Sequence, residues 1–217
     1  MATAATRALE RGAARAGFVR VAGVDEVGRG CLAGPVMAGA VILEPGRHIP
    51  GLRDSKQLTA RARERLCAAI QRDAAAWSVA ALSAAEVDRL NIHRATLEAM
   101  RRAVLSLVPL PDLVLVDAFR IPGLWIPQRA VVGGDRRSAS IAAASIVAKV
   151  LRDKEMQELD VADSRYGFAR HKGYGTPAHL AALRQHGYSP AHRRSFRPAS
   201  LFDVLDDDRS DGTHDPR

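Results

Sequence analysis

The chain has 217 residues, 47% of them hydrophobic and 26% charged, with a formal net charge of +8. That length buries a core without help from metals or disulfides, and no apolar run approaches the roughly 18 residues a membrane-spanning helix needs. Its two cysteines, Cys31 and Cys67, lack CxxC spacing, so no disulfide framework is implied and a reducing, cytoplasmic setting is expected. The positive charge is nearly all arginine, the lysines being Lys56, Lys149, Lys154 and Lys172. Such a surplus points to a polyanionic partner, either nucleic acid or an anionic membrane surface.

Residues 1–17 are rich in Ala and Arg, with Glu10 the one acid, and read as a frayed basic arm. The body starts at Phe18. "FVRVAGVD" (18–25) is β-branched and ends in an acid, which predicts a strand. "GPVMAGAVIL" (34–43) is a second strand, apolar almost throughout and therefore central. The link between them is too short for a helical crossover, so they are expected to pair antiparallel. Thr59 caps a helix running to about Asp73, with Leu66, Ala69 and Ile70 at helical spacing. "WSVAAL" (77–82) is a third strand. Ser83 and Glu86 form a capping box that opens one helix to about Leu107, ended by Pro109 and Pro111.

"DLVLVDAF" (112–119) is the clearest strand, and a shorter one covers 129–132 before Gly133-Gly134-Asp135. A long helix follows from Ser138 or Ser140 to about Asp160. Its start, "SIAAASIVAKV", is small and apolar all round, as in a helix pressed into a core. Pro177 opens a further helix to about His186. The stretch 201–217 is acidic and reads as a disordered tail. Two antiparallel strands followed by helical crossovers predict an α/β fold, a mixed five-stranded sheet flanked by helices. The main unit is expected to span 18–160, with a helical, basic extension over 161–200.

Asp25 and Glu26 end the first strand, Asp117 ends a later one, and Asp135 follows a double glycine. Neighbouring strand ends converge, so these acids can share a cleft. Each has a plainer use: Asp117 as a turn residue, Asp135 as the cap of the long helix. Adjacent Asp25 and Glu26 resist that explanation because they point to opposite faces of a strand. Clustered carboxylates repel and need a cation. Without His or Cys at ligand spacing the donors are all oxygen, which suits Mg²⁺ or Mn²⁺ rather than zinc. Two such ions about 3.5–4 Å apart hold a scissile phosphate.

Gly28-Arg29-Gly30 follows the paired acids at once. Glycines allow close approach to a ligand, exposed peptide groups bond a hydroxyl or phosphate, and Arg29 supplies charge. An ordinary hairpin turn is the alternative. Lys56, before a helix, suits a phosphate contact, with a simple cap equally well supported. Ser138 and Lys149 belong to the long helix, and Lys172 and Tyr174 to a glycine loop where a tyrosine can stack on a sugar or base. All are candidate substrate-binding residues. His192, Arg193, Arg194 and Arg197 form a basic run, or simply a solvated surface.

The motifs "GVDEVGRG", "DSKQL", "LVLVDAF", "GGDRRSASIAAASIVAKVLRD" and "HKGYGT" occur in an order and spacing that resemble the bacterial ribonuclease HII family. The resemblance spans about 18–200. It implies a ribonuclease H-like fold with a C-terminal helical extension. It implies cleavage of the RNA strand of RNA–DNA hybrids and nicking 5′ of ribonucleotides embedded in duplex DNA, with 5′-phosphate and 3′-hydroxyl products. Carried over by position, Asp25, Glu26, Asp117 and Asp135 hold two divalent ions. The backbone of Gly28, Arg29 and Gly30 senses the ribose 2′-hydroxyl, Tyr174 packs on the deoxyribose at the junction, and Lys56 contacts phosphate. Val27 stands where alanine is frequent in the family. Asp153 is expected in an ion pair or a fold role. The partners implied are hybrids and ribonucleotide-bearing DNA, with no membrane, and the protein is expected to be a monomer. A junction resolvase and a non-catalytic hybrid-binding protein are the alternatives.

Overall fold

The computed structural model describes residues 5–196; the expected acidic tail and Arg197 lie outside them. The strands are β1 (Val21–Val27), β2 (Val36–Leu43), β3 (Ala74–Leu82), β4 (Leu113–Asp117) and β5 (Gln128–Val131). The helices are α1 (Ala8–Arg15), α2 (Ala60–Asp73), α3 (Ala84–Leu90), α4 (Ile92–Leu105), α5 (Gly134–Arg137), α6 (Ala139–Ala162), α7 (Phe168–His171) and α8 (Pro177–His186).

The sheet order is β3-β2-β1-β4-β5. The short link after β1 makes β1 and β2 antiparallel, as expected, and β3 is antiparallel to β2. Helical connections bring β4 back parallel to β1, and β5 parallel to β4. The C-terminal ends of β1, β4 and β5 therefore lie together at one edge of the sheet. Register puts Val24 beside Val116, so Asp25 and Asp117 are the next residues along on neighbouring strands.

α4 covers one face of the sheet, packing Ala95, Ala99 and Met100 on Val24, Ala38 and Ala40. α2 and α6 cover the other, with Ile70, Ala143 and Ile146 around Val41. The small residues of α6 have a steric reason. A Cβ at Gly23 would sit 2.1 Å from the Ser140 carbonyl carbon, and one at Gly39 would sit 2.5 Å from the Ala144 oxygen. Helix and strands meet backbone to backbone, which seats β1 closely against α6.

Two expectations change. The single helix after Ser83 is two. The Ser83–Glu86 capping box forms, but Asn91 takes φ +65° and its side chain accepts the Arg94 amide at 3.1 Å, starting α4 anew. A positive φ is something Asn tolerates better than most residues. Residues 8–15 are not frayed either. They form α1, whose Glu10 carboxylate accepts the Ser138 hydroxyl at 2.6 Å and the Ser140 amide at 2.9 Å. Leu9 and Ala13 pack with Val21, Leu113 and Ile141. An arm with few large apolar residues is anchored by a partly buried polar contact that no local pattern announces.

The C-terminal part folds back on the loop after β1. Tyr166, Phe168 and Leu183 pack with Ala33 and Met156, and the Leu32 and Gly34 amides donate to Gly173 and Ala191 carbonyls, each at 2.8 Å. No helix among the described residues is long and apolar enough to cross a membrane.

Candidate active site

A cleft of about 230 Å³ opens at the shared strand edge, lined by Asp25, Glu26, Asp117, Asp135, Lys56 and Tyr174 among others. Gly28, Arg29, Gly30 and Lys149 line it too. The structure thus gathers residues that lie as far apart as 25 and 174.

Asp25 is buried against α6, where the nearby Ser145 hydroxyl favours its charged form. Its own Oδ1 accepts the Glu26 amide at 2.8 Å. Burial, then the neighbouring Glu26, holds its carboxyl well above the usual range, and Asp117 adds to the effect. Glu26, on the opposite strand face, is also raised by burial; Arg29, 3.6 Å away, offsets part of that. Asp135 is raised by burial and by Asp54 and Asp117, with Lys56 and Arg136 opposing. Asp117 is the one acid that acts on all three others. It is tied across the edge by the Gly134 amide, which donates to its Oδ1 at 2.7 Å.

Asp135 does not cap the long helix. It lies in the first turn of α5, after Gly133 in a left-handed conformation, and Ser138 takes the cap of α6 instead. This is where the structure departs from the candidate set. Ser138 is fully buried, accepting the Ile141 amide and bonding Glu10, and it does not line the cleft. Lys172 is not there either: its ammonium donates to the Ala169 carbonyl at 2.6 Å. Lys172 closes α7 with a positive φ of 54°. Lys149 does line the cleft, held by Asp153 at 2.6 Å, the ion pair expected of Asp153. Asp54 caps the short turn carrying Lys56, accepting the Lys56 amide at 2.9 Å, so cap and cleft position coexist.

Several contributors escape a linear reading. Ser145, readable as a core spacer, bonds the Ser55 hydroxyl at 3.0 Å and favours the charged form of Asp25. Phe119 lies under the Arg29 guanidinium at 5.0 Å. Arg152 and Arg193 are fully buried behind the loop after β1. A signal for Arg152 exists: it continues the buried row of Ser145, Ala148 and Met156 at helical spacing, where a charge is out of place unless it is bonded.

The donor set fits a hard divalent cation. Every candidate ligand is a carboxylate oxygen, and burial together with mutual repulsion penalises the charged carboxylates, a cost that a divalent cation would relieve. Among the described residues no three His, Cys, Asp or Glu side chains stand close enough together, as now oriented, to enclose an ion. Glu26 is turned to Arg29 and Asp117 to Gly134.

Residues 22–199 match the ribonuclease HII family model. The chain belongs to the ribonuclease HII family. It is 58% identical over 183 residues to ribonuclease HII of Nitrosococcus oceani, covering 84% of this chain and 91% of the relative. It is 55% identical over 189 residues to that of Geobacillus thermodenitrificans, covering 87% of this chain and 73% of the relative. Among solved structures, ribonuclease H2 of Pyrococcus horikoshii superposes with a TM-score of 0.70 at 26% identity, over 89% of this chain and all of that one. The solved relative shares the mixed sheet with flanking helices described above.

Proposed function

We propose that this cleft hydrolyses the RNA strand of RNA–DNA hybrids and also nicks duplex DNA 5′ of single embedded ribonucleotides, leaving 5′-phosphate and 3′-hydroxyl ends. Family membership makes the chain a metal-dependent ribonuclease H acting on RNA–DNA hybrids. The observation that carries the finer reading is the meeting of four acids and the Gly28-Arg29-Gly30 turn in one cleft.

Asp25, Glu26, Asp117 and Asp135 would hold two divalent ions, Mg²⁺ or Mn²⁺, which when bound supply an activated water and offset charge on the leaving oxygen. Asp117, central among the acids, has the largest part in assembling that set. Lys56, exposed beside Asp135, offers a phosphate contact. The backbone of Gly28 to Gly30 meets the 2′-hydroxyl, the group that separates RNA from DNA. Tyr174, 44% exposed on the rim, offers its ring to the adjoining deoxyribose. All these groups lie on one chain, so the reading requires only a monomer.

The test is Asp117→Asn with Mg²⁺ and a duplex carrying one ribonucleotide. Nicking is expected to fall at least 100-fold while the wild type leaves an all-DNA duplex intact. Full activity of the variant would overturn the assignment.

A further inference from the structure

Arg152 and Arg193 are the bulkiest side chains wholly withdrawn from solvent. Neither makes an ion pair among the described residues; their bonded donors go to backbone carbonyls, while Arg193 Nη2 is buried without a hydrogen-bond partner. Arg152 Nε donates to Pro35 at 2.9 Å, Nη1 to Lys172 at 3.0 Å and Nη2 to Ala33 at 3.2 Å. Arg193 Nε donates to Gly34 and Nη1 to Arg29, each at 3.0 Å. The Arg193 amide donates to Leu32 at 2.8 Å, and the Phe196 ring lies 5.2 Å from its guanidinium. Burying a guanidinium without a counter-ion is costly. Such a cost suits a residue whose carbonyl acceptors must be held in place.

The Arg29 carbonyl is the acceptor that matters. In a planar trans peptide the C=O and the following N–H point in opposite directions. With the Arg29 oxygen drawn inward to Arg193, the Gly30 N–H is turned outward on the cleft side. Gly30 lines the cleft and is exposed. Its N–H has no acceptor among the described residues, and a Cβ built there would meet nothing within 4 Å. A free donor in open space, backed by a buried clamp, is a prepared hydrogen-bonding position.

We propose that Arg193 is a specificity-determining positioning residue: by gripping the Arg29 carbonyl it presents the Gly30 N–H to the 2′-hydroxyl of the ribonucleotide being cut. This rests on the reading of the turn as the sugar sensor. Arg193 touches no substrate itself.

The experiment measures dissociation constants in EDTA, so that nothing is cleaved, for a duplex with one ribonucleotide and for the same duplex in all-DNA form. The wild type is expected to prefer the ribonucleotide. Arg193→Lys is expected to lose about 5- to 10-fold of that preference, the worth of one hydrogen bond, with all-DNA binding nearly unchanged. A merely structural role would weaken both duplexes alike, and that result, or an unchanged preference, overturns the proposal. Should Arg193→Lys not fold, Arg193→Gln removes the Nη1 donor to the Arg29 carbonyl with an uncharged side chain that needs no buried counter-ion. It must show the same selective loss, and a retained preference sinks the idea. If the wild type shows no preference, the sugar-sensing reading itself fails and the inference falls with it.

Discussion

Arg29 and Glu26 stand 3.6 Å apart at the first turn after β1, and the same guanidinium rests 5.0 Å over the Phe119 ring. The cation of the turn is thus held on an acid proposed to bind metal. Arg29 and a divalent ion compete for Glu26. Arg29→Ala is expected to tighten Mn²⁺ binding 2- to 5-fold by calorimetry, the modest gain of freeing a partly exposed ion pair worth about 1 kcal/mol or less. It is expected to weaken duplex binding at the same time, through the lost phosphate contact. Weaker Mn²⁺ binding in the variant would contradict this competition.

Gly28 and Gly30 are expected to respond oppositely to alanine. Gly28 has φ +89°, and a Cβ there would lie 2.3 Å from Arg152 Nε and 2.8 Å from the Pro35 oxygen. Gly28→Ala is expected to cost roughly 2–4 kcal/mol in denaturant unfolding. Gly30→Ala meets open space and is expected within about 0.5 kcal/mol of wild type. Any activity lost in Gly30→Ala is then lost to crowding of the bound sugar, so unfolding and cleavage measured together separate the two glycines.

Glu10 anchors α1 through Oε1, which accepts the Ser138 and Ser140 hydroxyls at 2.6 and 2.7 Å and the Ser140 amide at 2.9 Å. Glu10→Ala is expected to free the helix at a cost of about 2 kcal/mol, the price of stranding buried donors. Hydrogen exchange checks it: amides of 8–15 should exchange much faster while β1 and β4 keep their protection. Unchanged exchange in α1 would show that Leu9 and Ala13 suffice.

The C-terminal histidines form a chain of fixed tautomers. The Ser189 amide donates to His192 Nδ1 at 3.0 Å, so the proton of neutral His192 is on Nε2 and donates to His179 Nε2 at 3.1 Å. His179 Nδ1 then donates to the Tyr174 carbonyl at 2.9 Å. Burial, and next the adjoining His179, brings His192 down to about 4. His171 opposes its charge as well, and Asp163 favours it. A depressed histidine is protonated in the unfolded chain before the folded one, so stability falls as pH drops from about 6.5 towards 4. For one proton the slope reaches at most about 1.4 kcal/mol per pH unit. Denaturant midpoints of wild type and His192→Gln over that range are expected to converge at low pH, the variant showing the flatter slope. Parallel slopes would remove His192 from the account.

The strands, the capping box at Ser83 and the Thr59 cap are legible in the sequence because their causes are local: alternation, apolar runs and side-chain oxygens within reach of nearby amides. Asn91 breaks a helix that the apolar spacing carries straight through, since a single positive φ leaves no periodic trace. Ser138 and Lys172 sit within the right motifs, yet side-chain direction takes them elsewhere, one into a cap and the other onto its own helix.

By itself the sequence determined a mixed sheet, its acids at strand ends, a glycine-arginine turn beside them and the family to which the motifs point. Those are properties of short segments and their order. The tertiary structure alone decided that Asp117 stands among the other three acids, that Ser145 supports Asp25, and that Arg152 and Arg193 brace the turn from behind. Their partners lie more than a hundred residues away in the chain for most of these contacts, as with Arg193 and Arg29. Such contacts are set by strand register and by the close seat of α6 on Gly23 and Gly39, where the absence of two side chains lets the helix bring its polar residues to the cleft.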